Sequence, residues 1–512
     1  MTVTLKLFPD TYVDSVVQLR GMRAMRELEG VEWASAAMAT PANVETLRSE
    51  GVEAADVADA GSNDFFLVVR AASDSVAAEA LAAGESAVTS SGRPDDGASR
   101  PETPHSLRDA LRSQPETDVA VISVPGDYAA LAAYQALSAD LHVLLFSDNV
   151  PVEKEVALKD HALSRGRLLM GPGAGTALLG GVGLGFANVV TPGPVGVVAA
   201  AGTGAQEAMS LLERWGVGVS QVIGVGGRDL SSEVGGRMAA AAIAALREDP
   251  ATEVILFVSK PPSPEVAARV LAHAGETPLV AALVGLDPDF PAPDGVVLAD
   301  TLESGVVRTL GRLGITPPDT TVTSGPTVSE ALERLAPERR LIRGLFSGGT
   351  LCYESLVILG RTVGEVRSNT PINKAWGLPA PEGSHQCLDL GEEEYTRGRP
   401  HPMIDPEARI ELLREHASDP QVGALILDVV LGHGSDPDPA KTLAPACAAA
   451  MADGGPQVVA YVLGTEHDPQ GLADQRRRLV EAGCLVTETA ARASLVAAAI
   501  ATEDHSLAGA PL

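Results

Sequence analysis

Aromatic side chains make up only 3% of the 512 residues, and 38 Lys and Arg face 67 Asp and Glu, a formal net charge of −29. The first shortage removes the stacking platforms of a single-strand nucleic-acid reader. The second removes the basic surface that a polyanion requires, so no nucleic-acid partner is expected. Cysteine is also scarce. Cys352, Cys387, Cys447 and Cys484 form no CxxC or CxxH pair, and no His, Asp or Glu cluster has metal-ligand spacing, so no metal is expected. Sparse, unpatterned cysteines suit a reducing cytosol. The start, MTVTLKLFPDTYVDS, lacks the charged end and apolar run of a signal peptide. Apolar stretches are broken by glycine or proline short of spanning length. The expectation is a soluble cytoplasmic protein with no membrane partner. A GxGxxG fingerprint directly after the first strand of a βα unit is missing as well, which disfavours a nicotinamide dehydrogenase.

What is abundant is Ala, Val, Leu and Gly. Hydrophobic residues are 45% of the chain and charged ones 21%, the texture of α/β layers packed through small side chains. The length suits roughly three or four domains. The most informative stretch is Gly196–Ser210, GVVAAAGTGAQEAMS: a short buried strand, a small-residue loop and the first turn of a helix. A near copy occupies Arg343–Ser355, RGLFSGGTLCYES. Gly202-Thr203 aligns with Gly349-Thr350, and Glu207 with Glu354, an offset of 349 − 202 = 147. Each copy aims a helix N-terminus, with free N–H groups and partial positive charge, out of a loop nearly without side chains, a setting for phosphate or carboxylate. The same glycines also suit a tight strand-to-helix turn.

Taken in order, residues 1–85 read as a small α/β unit, with strands at Thr2–Phe8, Val31–Met38 and Phe65–Val69 and helices at Val16–Leu28, Asn43–Glu50 and Ser73–Ala83. Residues 86–104 are a Ser/Gly/Pro/Asp-rich linker. In 105–192, three strands (Val119–Val124, His142–Phe146, Leu168–Met170) stop at polar or glycine-rich turns, the edge where open α/β sheets bind ligands. Residues 193–315 continue as strand, anion-type loop and helix. Residues 316–340 are a Pro/Thr/Ser-rich connection with a charged helical piece near Val328–Leu335, and 341–512 repeat the plan of 193–315. Asp249-Pro250 and Asp419-Pro420 precede matching strands 170 residues apart (419 − 249). The second copy therefore carries about 23 extra residues near Arg361–Pro406, and the chain is read as an internal duplication of a flavodoxin-like unit.

The order of parts resembles succinyl-CoA synthetase. Residues 119–192, within the domain 105–192, are similar to the CoA-binding domain of its α subunit through SVPGDYA, FSDNVP and LLMGPGAGT, followed by VTPGPVGVV. GTGAQE and VGVGGRDLS are similar to its α-type ligase domain, and LDLGEEEYT and LDVVLGHGSDP to its β-type ligase domain. Both halves on one chain, with a small N-terminal unit and GRPHPMIDP at 398–406, resemble the FdrA family. The implied fold is multidomain α/β: a CoA-binding Rossmann-like domain, then two flavodoxin-like ligase domains, 193–315 α-type and 341–512 β-type.

That resemblance implies CoA as a cofactor, a phosphate or acyl phosphate as ligand, small-molecule substrates, and partner subunits or a homo-oligomer. The implied CoA pocket is Ser123, Pro125, Gly126, Ser147, Asp148, Pro151, Gly171 and Pro172. The anion sites are Ala201, Gly202, Thr203 and Gly204, then Ser347, Gly348, Gly349 and Thr350, and Gly432 and Gly434 around His433. Three departures stand out. No histidine lies between Pro278 and Gly314, where the family carries its phosphohistidine, and His273 precedes the relevant strand. The β-type part begins at its ligase domain, with no ATP-grasp portion. The family's loop serines are Ala200 and Ala201 in the first copy, whereas Ser347 keeps a hydroxyl in the second.

Transfer from an acyl phosphate such as carbamoyl phosphate needs neither relay, and the resemblance implies it through the allantoin-breakdown role of FdrA proteins, as a subunit of an oxamate carbamoyltransferase. This is the preferred reading. Acyl-CoA synthesis and a non-catalytic scaffold are the alternatives. His433 is the candidate acid or base, Glu207 and Glu354 candidate catalytic carboxylates, and Arg228 a fork for a substrate carboxylate. His385 with Asp389 is a further candidate for the cleft, and His401 with Asp405, in HPMID, is read as a turn that packs the insertion in preference to a site.

Overall fold

The computed structural model describes residues 2–13, 15–49, 60–89, 104, 106–287, 289–396 and 400–512. They fall into two compact units, Met1–Thr103 with Thr396–Pro400, and Pro104–Tyr395 with His401–Leu512.

In the first unit β1 (Thr2–Phe8), β2 (Val31–Met38) and β3 (Phe65–Ala71) form an antiparallel sheet in the order β1-β3-β2. Helices α1 (Ser15–Arg26), α2 (Pro41–Ser49) and α3 (Asp74–Thr89) complete it. The FFLVV run shows no apolar–polar alternation because β3 is central and buried on both faces. Phe65, Leu67 and Val69 join Met25, Ala77 and Leu81, while Phe66 and Val68 join Leu47. Of the linker expected at 86–104, residues 86–89 are the last turn of α3 and 90–103 lie outside the described residues. Gly398 and Arg399 of GRPHPMIDP lie outside them too.

The second unit opens with α4 (Leu107–Ser113) and a parallel sheet of β4 (Val119–Ile122), β5 (His142–Leu145) and β6 (Leu169–Met170). α5 (Gly126–Ser138) and α6 (Val152–Ser164) are its crossovers. The three strands end on one edge at Ser123, Phe146-Ser147-Asp148 and Gly171-Pro172. Gly171 is required there: its φ is +111°, and a Cβ would strike the Leu145 carbonyl oxygen.

Next come β7 (Thr176–Leu179), β8 (Val182–Gly185), β9 (Pro192–Ala199), α7 (Gly202–Arg214), β10 (Val219–Gly224), α8 (Arg237–Glu248), β11 (Val254–Ser259), α9 (Pro264–Leu271), β12 (Leu279–Leu283), β13 (Val296–Ala299) and α10 (Leu302–Arg312). Their sheet has the order β13-β12-β11-β9-β10-β7-β8. The β7–β8 hairpin, which the sequence reading leaves within 105–192, is thus the edge of this sheet.

The connection 316–340 supplies β14 (Thr323–Ser324), antiparallel to the last strand, and α11 (Val328–Arg334), capped by Thr327 and Glu330. There follow β15 (Leu341–Phe346), α12 (Gly349–Thr362), β16 (Val366–Arg367), β17 (His385–Asp389), α13 (Glu393–Thr396), α14 (Glu407–Ala417), β18 (Val422–Val430), α15 (Pro439–Met451), β19 (Gln457–Leu463), α16 (Leu472–Glu481), β20 (Leu485–Thr487) and α17 (Ala490–Thr502). Their sheet has the order β14-β20-β19-β18-β15-β17-β16.

The two large sheets share a parallel five-strand centre, β10-β9-β11-β12-β13 and β17-β15-β18-β19-β20, the 2-1-3-4-5 order of flavodoxin-like sheets. Val195 pairs with Val254 in one, and Ile342 with Ala424 in the other. Those pairs reproduce both sequence offsets, 342 − 195 = 147 and 424 − 254 = 170. Most of the extra length precedes β17, in the segment that carries β16. One apolar core runs between the halves, joining Ala205, Met209 and Val306 to Leu356, Ala493 and Ala497.

Candidate active site

β9 and β15 are mainly apolar strands, buried where they run into small-residue loops, and each loop starts a helix without a side-chain cap, α7 at Gly202 and α12 at Gly349. The two starts meet. The Thr350 N–H donates to Thr203 Oγ1 at 3.3 Å, and a Cβ on Gly204 would lie 3.0 Å from Thr350 Cγ2. Side chains larger than these would push the helices apart.

Beside the junction lies a cavity of about 490 Å³. Ala201, Gly202, Thr203 and Gln206 line it from the first half, and Ser347, Gly349, Thr350, Asp389 and His401 from the second. Asp148 and Pro172 of the β4–β6 sheet, Thr176 of β7, and Arg228 and Lys260 complete the wall.

Asp389 ends β17 and is 2% exposed. Burial is the largest influence on its carboxyl and pushes its pKa up to about 6, against the opposing pull of Lys260. His401 is driven down to about 4, first by burial, so its imidazole is neutral at pH 7. Its Nδ1 accepts from the Met403 N–H at 3.2 Å, which leaves the ring proton on Nε2. Both groups crowd Gly391, where a Cβ would be 2.7 Å from His401 Nε2 and 3.2 Å from Asp389 Oδ1. The cavity thus holds an acid near its titration point, a neutral imidazole donor, a lysine and two helix starts.

Comparison with known proteins gives the family. Over 508 residues, 97% of this chain and 98% of the other, it is 38% identical to the uncharacterized protein YahF of Escherichia coli (strain K12). The chain belongs to the YahF family. Within it, residues 345–500 match the CoA-ligase family, 190–282 the CoA binding domain, and 1–104 the AllF heavy metal-associated domain. The ADP-forming sulfoacetate-CoA ligase subunit SauD of Bilophila wadsworthia is 28% identical over 41% of this chain and 70% of its own length. The α subunit of succinate–CoA ligase (ADP-forming) of Aquifex aeolicus is 29% identical over 32% of this chain and 56% of its own. This YahF-family chain therefore carries CoA-ligase and CoA-binding domains on a multidomain α/β fold. The matches carry the succinyl-CoA-synthetase part of the resemblance and give no support to the FdrA affiliation or to carbamoyl transfer in allantoin breakdown. Residues 1–104 contain no cysteine and no histidine, and Met22 and Met25 are buried in the core of this unit. Among the described residues no helix is long and apolar enough to cross a membrane.

The structure brings together only part of the expected site in this YahF-family chain. Of the CoA-pocket candidates, Asp148 and Pro172 reach the cavity. Ser123, Pro125, Gly126, Ser147, Pro151 and Gly171 share the same strand edge outside it. Arg228 reaches the cavity, but its guanidinium bridges Glu155 at 2.9 Å and donates to the Val150 carbonyl at 2.7 Å. Gly204 and Gly348 lie beneath the helix starts rather than in the wall.

Of the expected anion sites, the first loop meets the start of α12 and not the Gly432-His433-Gly434 loop. The 432–434 loop turns instead onto Phe186 and Ala187, where the His433 N–H donates to the Ala187 carbonyl at 2.8 Å and the His433 side chain is exposed. Ser347 differs from expectation as well. Its hydroxyl and N–H go to Asp428 Oδ1 at 2.9 and 2.7 Å, so they serve an internal carboxylate. His385 sits at the opposite end of β17 from Asp389 and accepts from the Ile342 N–H at 3.1 Å. Asp405 accepts from Glu407 N at 3.0 Å at the start of α14.

Glu207 and Glu354 lie in the interhalf core, away from the cavity. Glu207 accepts from Tyr461 at 2.6 Å, and Glu354 from the Leu302 N–H at 2.6 Å. Burial drives both carboxyls up, Glu207 to about 7. Both sit one turn into their helices on the face that meets the other half, where protonation avoids the cost of a buried charge. An acid whose folded pKa is raised loses stability as pH climbs from its unfolded value, 4.5, to about 7. Glu207→Gln is expected to flatten this slope by about 3 kcal/mol, at roughly 1.4 kcal/mol per pKa unit. Urea unfolding at pH 5 and pH 8 measures it, and parallel slopes for wild type and variant would count against a neutral Glu207.

Sequence reasoning missed Lys260 and Thr176. Lys260 directly follows the buried strand β11, a position at a carboxyl edge that was available as a signal. Thr176 offered none, because its role depends on the hairpin folding back beside α7.

Proposed function

We propose that the chain handles an acyl phosphate in this cavity and passes its acyl group to the thiol of CoA, the group-transfer half of an acid–thiol ligase. The observation that carries the reading is the cavity beside the junction of the two helix starts, with Lys260, Asp389 and His401 in its wall. The CoA-ligase and CoA-binding matches support it in preference to transfer onto an amide.

In this reading the phosphate of the substrate lies against the helix start and Lys260, which neutralise the leaving group. Asp389, ionised in most molecules at pH 7, takes the thiol proton. The thiolate sulfur attacks the acyl carbon, the bond from that carbon to the phosphate oxygen breaks, and phosphate departs with the electron pair. The Nε2–H of His401 donates to the carbonyl oxygen as charge builds there. With no histidine between Pro278 and Gly314, no step requires a phosphohistidine, and the acyl phosphate arrives already made.

Titration calorimetry of the full chain with CoA, acetyl phosphate and carbamoyl phosphate tests this. Binding of CoA together with acetyl phosphate is the expected result. Binding of carbamoyl phosphate without CoA would return the chain to a carbamoyltransferase, and heat from none of them would leave a scaffold.

A further inference from the structure

The two helix starts are alike in sequence but not in what their N–H groups meet. At α12 the N–H groups of Ser347, Gly348 and Thr350 are already taken within the chain. Asp428 accepts from the Ser347 N–H at 2.7 Å, the Ser347 hydroxyl at 2.9 Å and the Gly348 N–H at 2.7 Å. The Thr350 N–H goes to Thr203 Oγ1 at 3.3 Å. A second carboxylate, Asp389, lies so close to Gly349 that a Cβ there would strike its Oδ2. Two acids of the chain thus crowd this helix end: Asp428, paired with Arg409 at 2.9 Å, occupies the loop donors, and Asp389 is the carboxylate an incoming anion would meet.

At α7 the situation is reversed. Ala201 caps it without a side-chain hydrogen bond, and Ala200 and Ala201 leave the loop without acids. Beside it stands Thr176, 1% exposed, lining the cavity. Its Oγ1 has no hydrogen-bond partner among the described residues and lies 3.9 Å from where a Cβ on Gly202 would be. A buried hydroxyl without a partner costs stability unless a ligand or water satisfies it. Thr176 stands on β7, outside both copies of the duplicated motif, so this half has recruited from a neighbouring hairpin the hydroxyl that its own alanines lack.

We infer that the phosphate or carboxylate oxygens of the substrate bind at the α7 end alone, held by Thr176 Oγ1 and the N–H groups of Gly202 and Thr203, and that the α12 end is closed to anions by Asp428 and Asp389. The inference rests on the acyl-phosphate reading of the cavity and assigns that anion to one side of it. It also assigns the anion to the copy whose loop carries Ala200 and Ala201 rather than to the copy that keeps Ser347.

The test compares two hydroxyls by calorimetry with acetyl phosphate and with inorganic phosphate. Thr176→Val keeps the shape and β-branching of the side chain in a strand, and it is expected to weaken both ligands about ten- to a hundredfold, the effect of a lost hydrogen bond to a charged group. Thr176→Ser is expected to restore binding to within about threefold, which separates a lost hydroxyl from a damaged fold. Thr350→Val is expected to weaken binding far less than Thr176→Val. Equal weakening by the two valines, or wild-type affinity in a folded Thr176→Val, would overturn the assignment while leaving the acyl-phosphate reading in place. Failure of the wild-type chain to bind either ligand would instead remove that reading, and this assignment with it.

Discussion

Replacing Asp389 with asparagine is expected to slow thioester formation from an acyl phosphate by about a hundred- to ten-thousandfold, the range for loss of a positioned general base. Asparagine preserves the size of the side chain and its packing at Gly349 and Gly391, so the dissociation constant for the acyl phosphate should change little. The pH profile carries the sharper signature. With a carboxyl held near 6, the wild-type rate should fall as pH drops through that value, because protonated Asp389 cannot accept the thiol proton. In Asp389→Asn that limb should vanish. A variant that keeps the acid limb, or that loses rate only through weaker binding, would remove Asp389 from the chemistry and leave it a packing residue.

The second large effect concerns the support beneath the site. Asp428, on β18, accepts from Ser347 and Gly348 and pairs with Arg409 at 2.9 Å, and both side chains are nearly fully buried. Asp428→Ala is expected to cost about 3–5 kcal/mol, because a buried guanidinium and the loop donors lose their partner together. The double variant Arg409→Met with Asp428→Leu is expected to recover much of that loss, since apolar replacement of a buried pair is often near neutral. Urea unfolding of the three proteins decides the matter. A loss below about 1 kcal/mol in Asp428→Ala would mean that the loop before α12 is held by its packing instead.

The duplicated frame was readable because it rests on local, repeated signals. Apolar strands followed by Gly-Thr, and the Asp-Pro pairs, gave two offsets, and the strand registers reproduce both. The β7–β8 hairpin is not marked by those signals, because no helix follows its strands. Yet Leu179-Gly180-Gly181-Val182, with both glycines at positive φ, is an ordinary hairpin turn signal between two short apolar runs.

The site was less readable because it depends on which loops meet in space. Asp389 and His401 were visible as candidates, but nothing in their neighbourhoods says that they share one cavity with Lys260, more than a hundred residues away. His433 stands on a different loop from this cavity, where Gly432 serves a close approach to the Ala187 carbonyl and Gly434 one to the Phe186 ring. Glu207 and Glu354 lie away from it too. A carboxylate near a helix start suggests chemistry, but one turn in it points to whatever covers the helix, and here that is the other half of the protein.

The central claim is that acyl phosphate and CoA react in the cavity between the halves. The most direct measurement incubates the chain with acetyl phosphate and CoA and follows free thiol and inorganic phosphate together. Loss of thiol matched mole for mole by phosphate released, and absent in Asp389→Asn, is the predicted result. Phosphate released from carbamoyl phosphate in the presence of oxamate, with the CoA thiol untouched, would contradict it and make the chain a carbamoyltransferase.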